Sequence, residues 1–257
     1  MTNTLHTTLE LVHVGGPTVR FTYGGLTWLV DPTFDQPGEY RSGALTLRKL
    51  TGPAVSAAEI GPIDVALLSH DQHPDNLDPT GRQVLATAGT VLSTPEAAGR
   101  IDGVRGMTVW EDVRIGEVTV TAVPALHGPE GAEELSGTVT GFVLRAPGEP
   151  VVYVSGDNAS VDLVEQIVAR IGRIDIALLN VGAANVGRFG DIDVTLNART
   201  AARAAQILGD AAIVSVHAEG WAHFTETLDR LRMVFDDAGI GARLHIPVPG
   251  EVTAIGA

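Results

Sequence analysis

The chain has 257 residues, 17 Lys+Arg against 31 Asp+Glu, a formal net charge of −14, and 44% hydrophobic residues with few aromatics. Negative charge on this scale speaks against nucleic acid or an anionic membrane as partner, since both are polyanions, and the apolar content is too high for a disordered chain. Cysteine is absent, which excludes disulfides, cysteine-ligated zinc and thiol catalysis. The polar start, Met1 to Glu10, lacks a basic-then-apolar signal pattern, and no apolar run nears the ~20 residues of a membrane span. The expectation is a cytoplasmic protein with a small-molecule substrate, one domain over 1–257, and homo-oligomerisation left open.

Three short β-rich runs open the chain: Leu9 to Val14, Val19 to Tyr23 and Leu26 to Val30, separated by Gly15-Gly16-Pro17 and Gly24-Gly25, both turn chemistry. Asp31-Pro32 begins an irregular stretch to about Pro62, too long for a plain connector and read as a substrate-side flap or a disordered insertion. Val65 to Leu68 is a continuous apolar run, the mark of a strand buried on both faces. Asp78 with Pro79 reads as a helix start, the helix running to about Ala88. Val91-Leu92 is a further strand, Thr94-Pro95-Glu96 a second capped start, and Thr108 to Val123 two or three more strands. Strands are then expected at Thr138 to Arg145, Val151 to Ser155, Asp175 to Leu179 and Ile213 to Val216. Helices between them start at Ser160, cover Thr200 to Leu208, and start again at Thr225. Strand and helix alternate throughout, which implies a layered α/β fold.

Such folds place their sites at the C-terminal ends of buried strands. The polar residues there are Ser69 to Asn76, His127, Asp157, Asn180 and His217, and four of the eight histidines fall in this set. Singly each is ordinary, because a histidine at a strand end is most often structural and an aspartate after Ser-Gly is most often a turn residue. Together, imidazoles and carboxylates converging from several strands suit a dinuclear transition-metal centre.

In these residues the sequence resembles the metallo-β-lactamase-fold metallohydrolases, in the branch similar to the L-ascorbate-6-phosphate lactonases. The resemblance spans nearly the whole chain. It runs from His13-Val14-Gly15-Gly16-Pro17-Thr18 through Gly25 to Pro32 with its motif aspartate Asp31, then the metal loop, His127, Ser155-Gly156-Asp157 and His217. It implies a four-layer αββα sandwich of two similar halves with metals at one sheet edge. The family's loop reads His-x-His-x-Asp-His, whereas this chain has Ser69-His70-Asp71-Gln72-His73-Pro74-Asp75-Asn76. Either a one-residue insertion brings in His70 and His73, which is preferred, or the register Asp71-x-His73-x-Asp75-Asn76 applies.

On that resemblance, His70, His73 and His127 would hold one divalent ion, and Asp75, Asn76 and His217 a second, with Asp157 bridging. Zinc is the first expectation, with manganese or iron as alternatives. An Asn amide is a weak neutral ligand, so the second site should be weaker or tuned to a harder ion, and a single-metal enzyme also fits. The implied activity is hydrolysis of a small cyclic ester, lactone or related carbonyl compound by metal-activated water, with Asp75 orienting or deprotonating that water. Asn180 and His223 are candidates to donate to developing oxyanion charge. A phosphodiesterase of the same fold is the alternative, although no Lys/Arg cluster reads as a phosphate cradle. Only Arg41, Arg48 and Lys49 could reach an anion, and a solvated surface is the expectation for them. A non-catalytic binding protein, its site decayed at Gln72 and Asn76, is the reading of a different class.

Overall fold

The computed structural model describes residues 8–43 and 45–257; segment 1–7, the polar start read as signal-free, lies outside the described residues. In chain order, β1 (Thr8–Gly15), β2 (Thr18–Tyr23) and β3 (Leu26–Val30) form a meander through the two glycine turns. The hairpin β4 (Gly38–Ser42) and β5 (Leu45–Lys49) follows, then β6 (Val65–Leu67), α1 (Pro79–Leu85), β7 (Thr90–Ser93), α2 (Pro95–Ala98) and β8 (Val104–Gly106). The second half has β9 (Asp112–Ile115), β10 (Val118–Pro124), α3 (Glu133–Ser136), β11 (Thr140–Arg145), β12 (Val152–Val154) and α4 (Val161–Ile171). It continues with β13 (Ile176–Asn180), α5 (Ala198–Ile207), β14 (Ala212–Val216), α6 (Leu228–Asp237), β15 (Leu244–His245) and β16 (Val252–Gly256).

The strands form two seven-stranded sheets, ordered β16-β1-β2-β3-β6-β7-β8 and β15-β14-β13-β12-β11-β10-β9. Each is antiparallel over one half and parallel over the other, so the two halves of the chain repeat one scheme. Alternating residues explain why the sheets face each other. Val19, Phe21 and Trp28 from the first sheet and Val120, Phe142 and Leu178 from the second are buried in one shared core. The opposite faces are apolar too and take the helices, with α4, α5 and α6 against the second sheet and α1 against the first. This is the four-layer αββα sandwich.

Several boundaries move. The helix expected to start at Thr225 starts at Thr227, whose side chain caps α6, while the Thr225 hydroxyl donates to the Ala183 carbonyl. Helix α5 starts earlier than expected because Asn197 and Thr200 form a reciprocal cap. The stretch read as irregular contains the β4–β5 hairpin, and strands β8, β15 and β16 were not foreseen. No helix among the described residues is long and apolar enough to cross a membrane.

Candidate metal centre

The parallel strands end at one edge. Beyond β6 lie His70, His73 and Asp75; beyond β12 lies Asp157, and beyond β14 lies His217, with His127 entering after β10. Tight backbone approaches make this convergence workable. Gly156 has φ of +57°, and a Cβ there would lie 2.8 Å from both the Ser69 side chain and the Thr140 carbonyl, so the turn before Asp157 requires glycine. Two of the candidate residues, Asp31 and His217, are held at positive φ (36° and 52°), the kind of backbone strain found at functional sites.

Two donor groups result: His70, His73 and His127, and Asp75, Asp157 and His217, the ligand atoms of each lying within 4.8 Å of one another. In the first, His70 Nε2 is 2.9 Å from His73 Nδ1. Tautomers follow from the outer hydrogen bonds. The Ser69 hydroxyl donates to Asp31 Oδ2 (2.9 Å) and so accepts from His70 Nδ1, 3.0 Å away, leaving Nε2 bare toward the cluster. His127 Nδ1 donates to the Val194 carbonyl (2.7 Å), which frees its Nε2. Burial, with the neighbouring imidazoles, depresses protonation of His70 and takes His73 down to about 4. A divalent ion needs neutral imidazoles, and burial supplies them at His70 and His73.

Asp157 stands between the groups, with Oδ2 3.7 Å from His127 Nε2 and Oδ1 3.0 Å from His217 Nδ1. Burial alone would raise the pKa of this carboxyl, but His217 and His127 hold it well below the usual carboxylate range. Asp75 is likewise held low, against burial, by His217 and His223. Burial opposes charge on His217, yet the two carboxylates outweigh it and push the imidazole up to about 10. Burial also lifts Asp31 to about 7, against the hydrogen bonds from Ser69.

Whether a cation fits here is decided by polar atoms without partners. Asp75 Oδ1, Asn76 Oδ1, Asp157 Oδ2 and His217 Nε2 are all buried without a hydrogen bond. Each would cost about 1–3 kcal/mol if left unsatisfied. The three oxygens, together with His217 Nε2 once a cation displaces its proton, make with the imidazoles of the first group a donor set that suits one or two divalent ions.

The structure places the other expected residues as follows. Gln72 turns away, its side chain packed against Gly137, and Asp71 is paired with Arg100 (2.6 Å) and Arg82 (3.8 Å). The register that used Asp71 is therefore not the one adopted. Asn76 lies inside the centre and donates to Asp157 Oδ1 (3.3 Å) and Asp31 Oδ2 (3.4 Å). Asn180 does not line the cavity over the centre, because its amide is spent on Asp157 Oδ1 at 2.6 Å. That corrects the expectation of a substrate-side donor. His223 does line the cavity, with Nε2 2.9 Å from Asp75 Oδ2 and Nδ1 unpartnered. Lys49, expected on a solvated surface, is buried, bonded to Asp78 at 3.2 Å and set over the Trp221 ring.

The cavity is a cleft open at its mouth, about 390 Å³ when the solvent space at that mouth is included. His73, Asp75, His127 and His223 form its polar side, and Leu45, Leu47, Val186 and Phe189 much of its apolar side. Two wall elements carry no metal-ligand chemistry and had been missed or left open: the hairpin tip and the loop 185–190. A Gly-Arg-Phe-Gly run a few residues after a functional strand end was the signal for the second.

The beta-lactamase superfamily domain model matches residues 27–218 of this sequence. The chain belongs to that superfamily. Protein YddR of Bacillus subtilis, a UPF0173 protein, is 25% identical over 264 residues, covering 95% of this superfamily member and 98% of its relative. A UPF0173 metal-dependent hydrolase of Pyrococcus furiosus is 26% identical over 211 residues, covering 79% and 87%. Among solved structures, the isothiocyanate hydrolase from Delia radicum gut bacteria superposes with a TM-score of 0.84 at 23% identity, over 96% of this chain and all of the other. Family and fold thus agree on a beta-lactamase superfamily domain, and the curated relatives of the chain include proteins named metal-dependent hydrolases.

Proposed function

We propose that this protein hydrolyses small carbonyl substrates, cyclic esters foremost, using one or two divalent ions held by His70, His73 and His127 and by Asp75, Asp157 and His217, with Asn76 beside the second group. The observation that carries the reading is the cluster of orphaned buried ligand atoms, one of whose residues, Asp75, lines a largely apolar cavity together with His73 and His127. An all-imidazole first group suits zinc; the oxygen-rich second tolerates manganese or iron. Divalent ions there would polarise a substrate carbonyl and make water acidic enough to act as nucleophile near neutral pH.

The chain's own residues then have separable tasks. Asp75, if one oxygen is left free by the metal, orients the attacking water and accepts its proton. His223, bonded to Asp75 through Nε2, would take that proton from Asp75 at Nε2 while giving up the one on Nδ1 to the leaving oxygen. Asn180 holds Asp157 at a fixed angle. The apolar wall favours a compact aliphatic body over a polyanion, which ranks carbonyl esters above phosphodiesters.

Metal content per chain, measured on protein purified without chelator, should lie between one and two. Protein loaded with Zn, Mn or Fe should then open γ-butyrolactone-type lactones, and His70→Ala or chelation should abolish turnover. An empty centre after soaking in all three ions would shift the assignment to a binding protein. So would inertness of the loaded protein toward lactones, bis-p-nitrophenyl phosphate, a β-lactam and an isothiocyanate.

A further inference from the structure

Apart from the histidines, the cavity carries one cationic side chain, Arg188, set among aliphatic and aromatic neighbours. In a chain of net charge −14, a guanidinium beside the candidate centre is not a by-product of composition. Its loop is built rather than loose. Asn185 Oδ1 accepts from the Gly187 amide (2.8 Å), and Asn185 Nδ2 donates to the Gly190 carbonyl (3.2 Å). The Asn185 amide donates to the His223 carbonyl (2.9 Å), which ties the loop to the segment lining the opposite side of the site.

Arg188 Nη1 donates to the Leu135 carbonyl, its one polar partner among the described residues. That bond uses one of five N–H groups and leaves the others free to donate. A planar fork with donors to spare, bonded to backbone and without a carboxylate partner among the described residues, is complementary to a carboxylate. One arginine without a second cation is a poor match for a dianionic phosphate.

The geometry points to Arg188 as the residue that selects substrate by charge: the substrate is a small ester or lactone bearing a carboxylate at the end remote from the scissile carbonyl. The carboxylate pairs with Arg188, and the aliphatic middle lies against Leu45, Leu47 and Phe189. This assignment rests on the reading of the centre as a hydrolase of carbonyl compounds.

Two matched esters and one binding probe separate the two ideas. The metal-loaded wild type should hydrolyse mono-p-nitrophenyl glutarate with a kcat/KM at least tenfold above that for p-nitrophenyl pentanoate, which has the same chain length without the charge. Arg188→Met, which keeps the apolar stem, should remove that preference mainly through KM and leave the neutral ester within about twofold. Arg188→Lys should restore part of it. By calorimetry, glutaramate should bind the wild type at least tenfold more tightly than pentanamide, and Arg188→Met should erase the difference. Charge-independent hydrolysis, equal losses on both esters, or unchanged glutaramate binding in Arg188→Met would overturn the assignment while leaving the hydrolase intact. Arg188-dependent glutaramate binding by a protein inert toward both esters would do the reverse.

Discussion

Asp157 is the residue on which the centre turns, and its orientation depends on a neighbour that binds no metal itself. Asn180 donates to Oδ1 at 2.6 Å and leaves Oδ2 unpartnered toward His127. Outer partners of this kind set ligand angle and basicity, and their loss costs about 10–100-fold in metal affinity. Asn180→Ala should therefore retain the fold and both donor groups but release metal to a competing chelator at 10–100-fold lower concentration. Unchanged affinity would mean that Asp157 is held by its backbone alone. The sequence showed Asn180 at a strand end facing the right edge, but not which atom its amide would meet. That depends on the approach of β12 and β13, a contact 23 residues apart in the chain. Arg188 was harder still, since a loop residue acquires meaning only once the wall opposite it is known.

The β4–β5 hairpin shows how an element can be misread from composition and yet follow its own pattern. Leu45 and Leu47 alternate with Thr46 and Arg48, a period of two that marks a half-buried strand, but surrounding Gly, Thr and Ser obscured it. Its root is fixed by Lys49, buried against Asp78, which also caps α1 by accepting from the Gly81 amide and accepts from the Asp35 amide. Removing one partner of a buried ion pair strands the other charge and typically costs 3–5 kcal/mol. Lys49→Met should lower stability by about 3 kcal/mol in urea unfolding and loosen the hairpin enough to raise KM. A change below ~0.5 kcal/mol, the level of an ordinary surface substitution, would show that Asp78 is satisfied without the lysine. Lys49 also pairs through its backbone with Trp221, and the Leu50 amide donates to the Gly220 carbonyl. Backbone bonds therefore tie the hairpin wall of the cavity to the His217–His223 segment.

For the whole molecule, alternating strands and helices made the layered fold legible, because each buried run and each capped amphipathic helix is a local signal. Strand β16 was not legible: it pairs with β1 across nearly the full chain length, and its Val252 is 70% exposed, so no local periodicity announced it. At this scale metal should act on stability as well as on chemistry. Ligand at a hundredfold over its Kd adds about 2.7 kcal/mol, roughly 5–10 °C in Tm for a chain of this length. Chelated protein should melt lower by that order, and readdition of Zn should restore the difference; coincident melting curves would show that no ion is bound in the folded state. The placement of the donors gives this stabilisation a direction. His70, His73 and Asp75 follow a strand of one sheet, whereas His127, Asp157 and His217 follow strands of the other, so each donor group draws on both. An ion in either group would fasten the two halves of the sandwich together as a disulfide fastens two strands, in a chain that has no cysteine to do it.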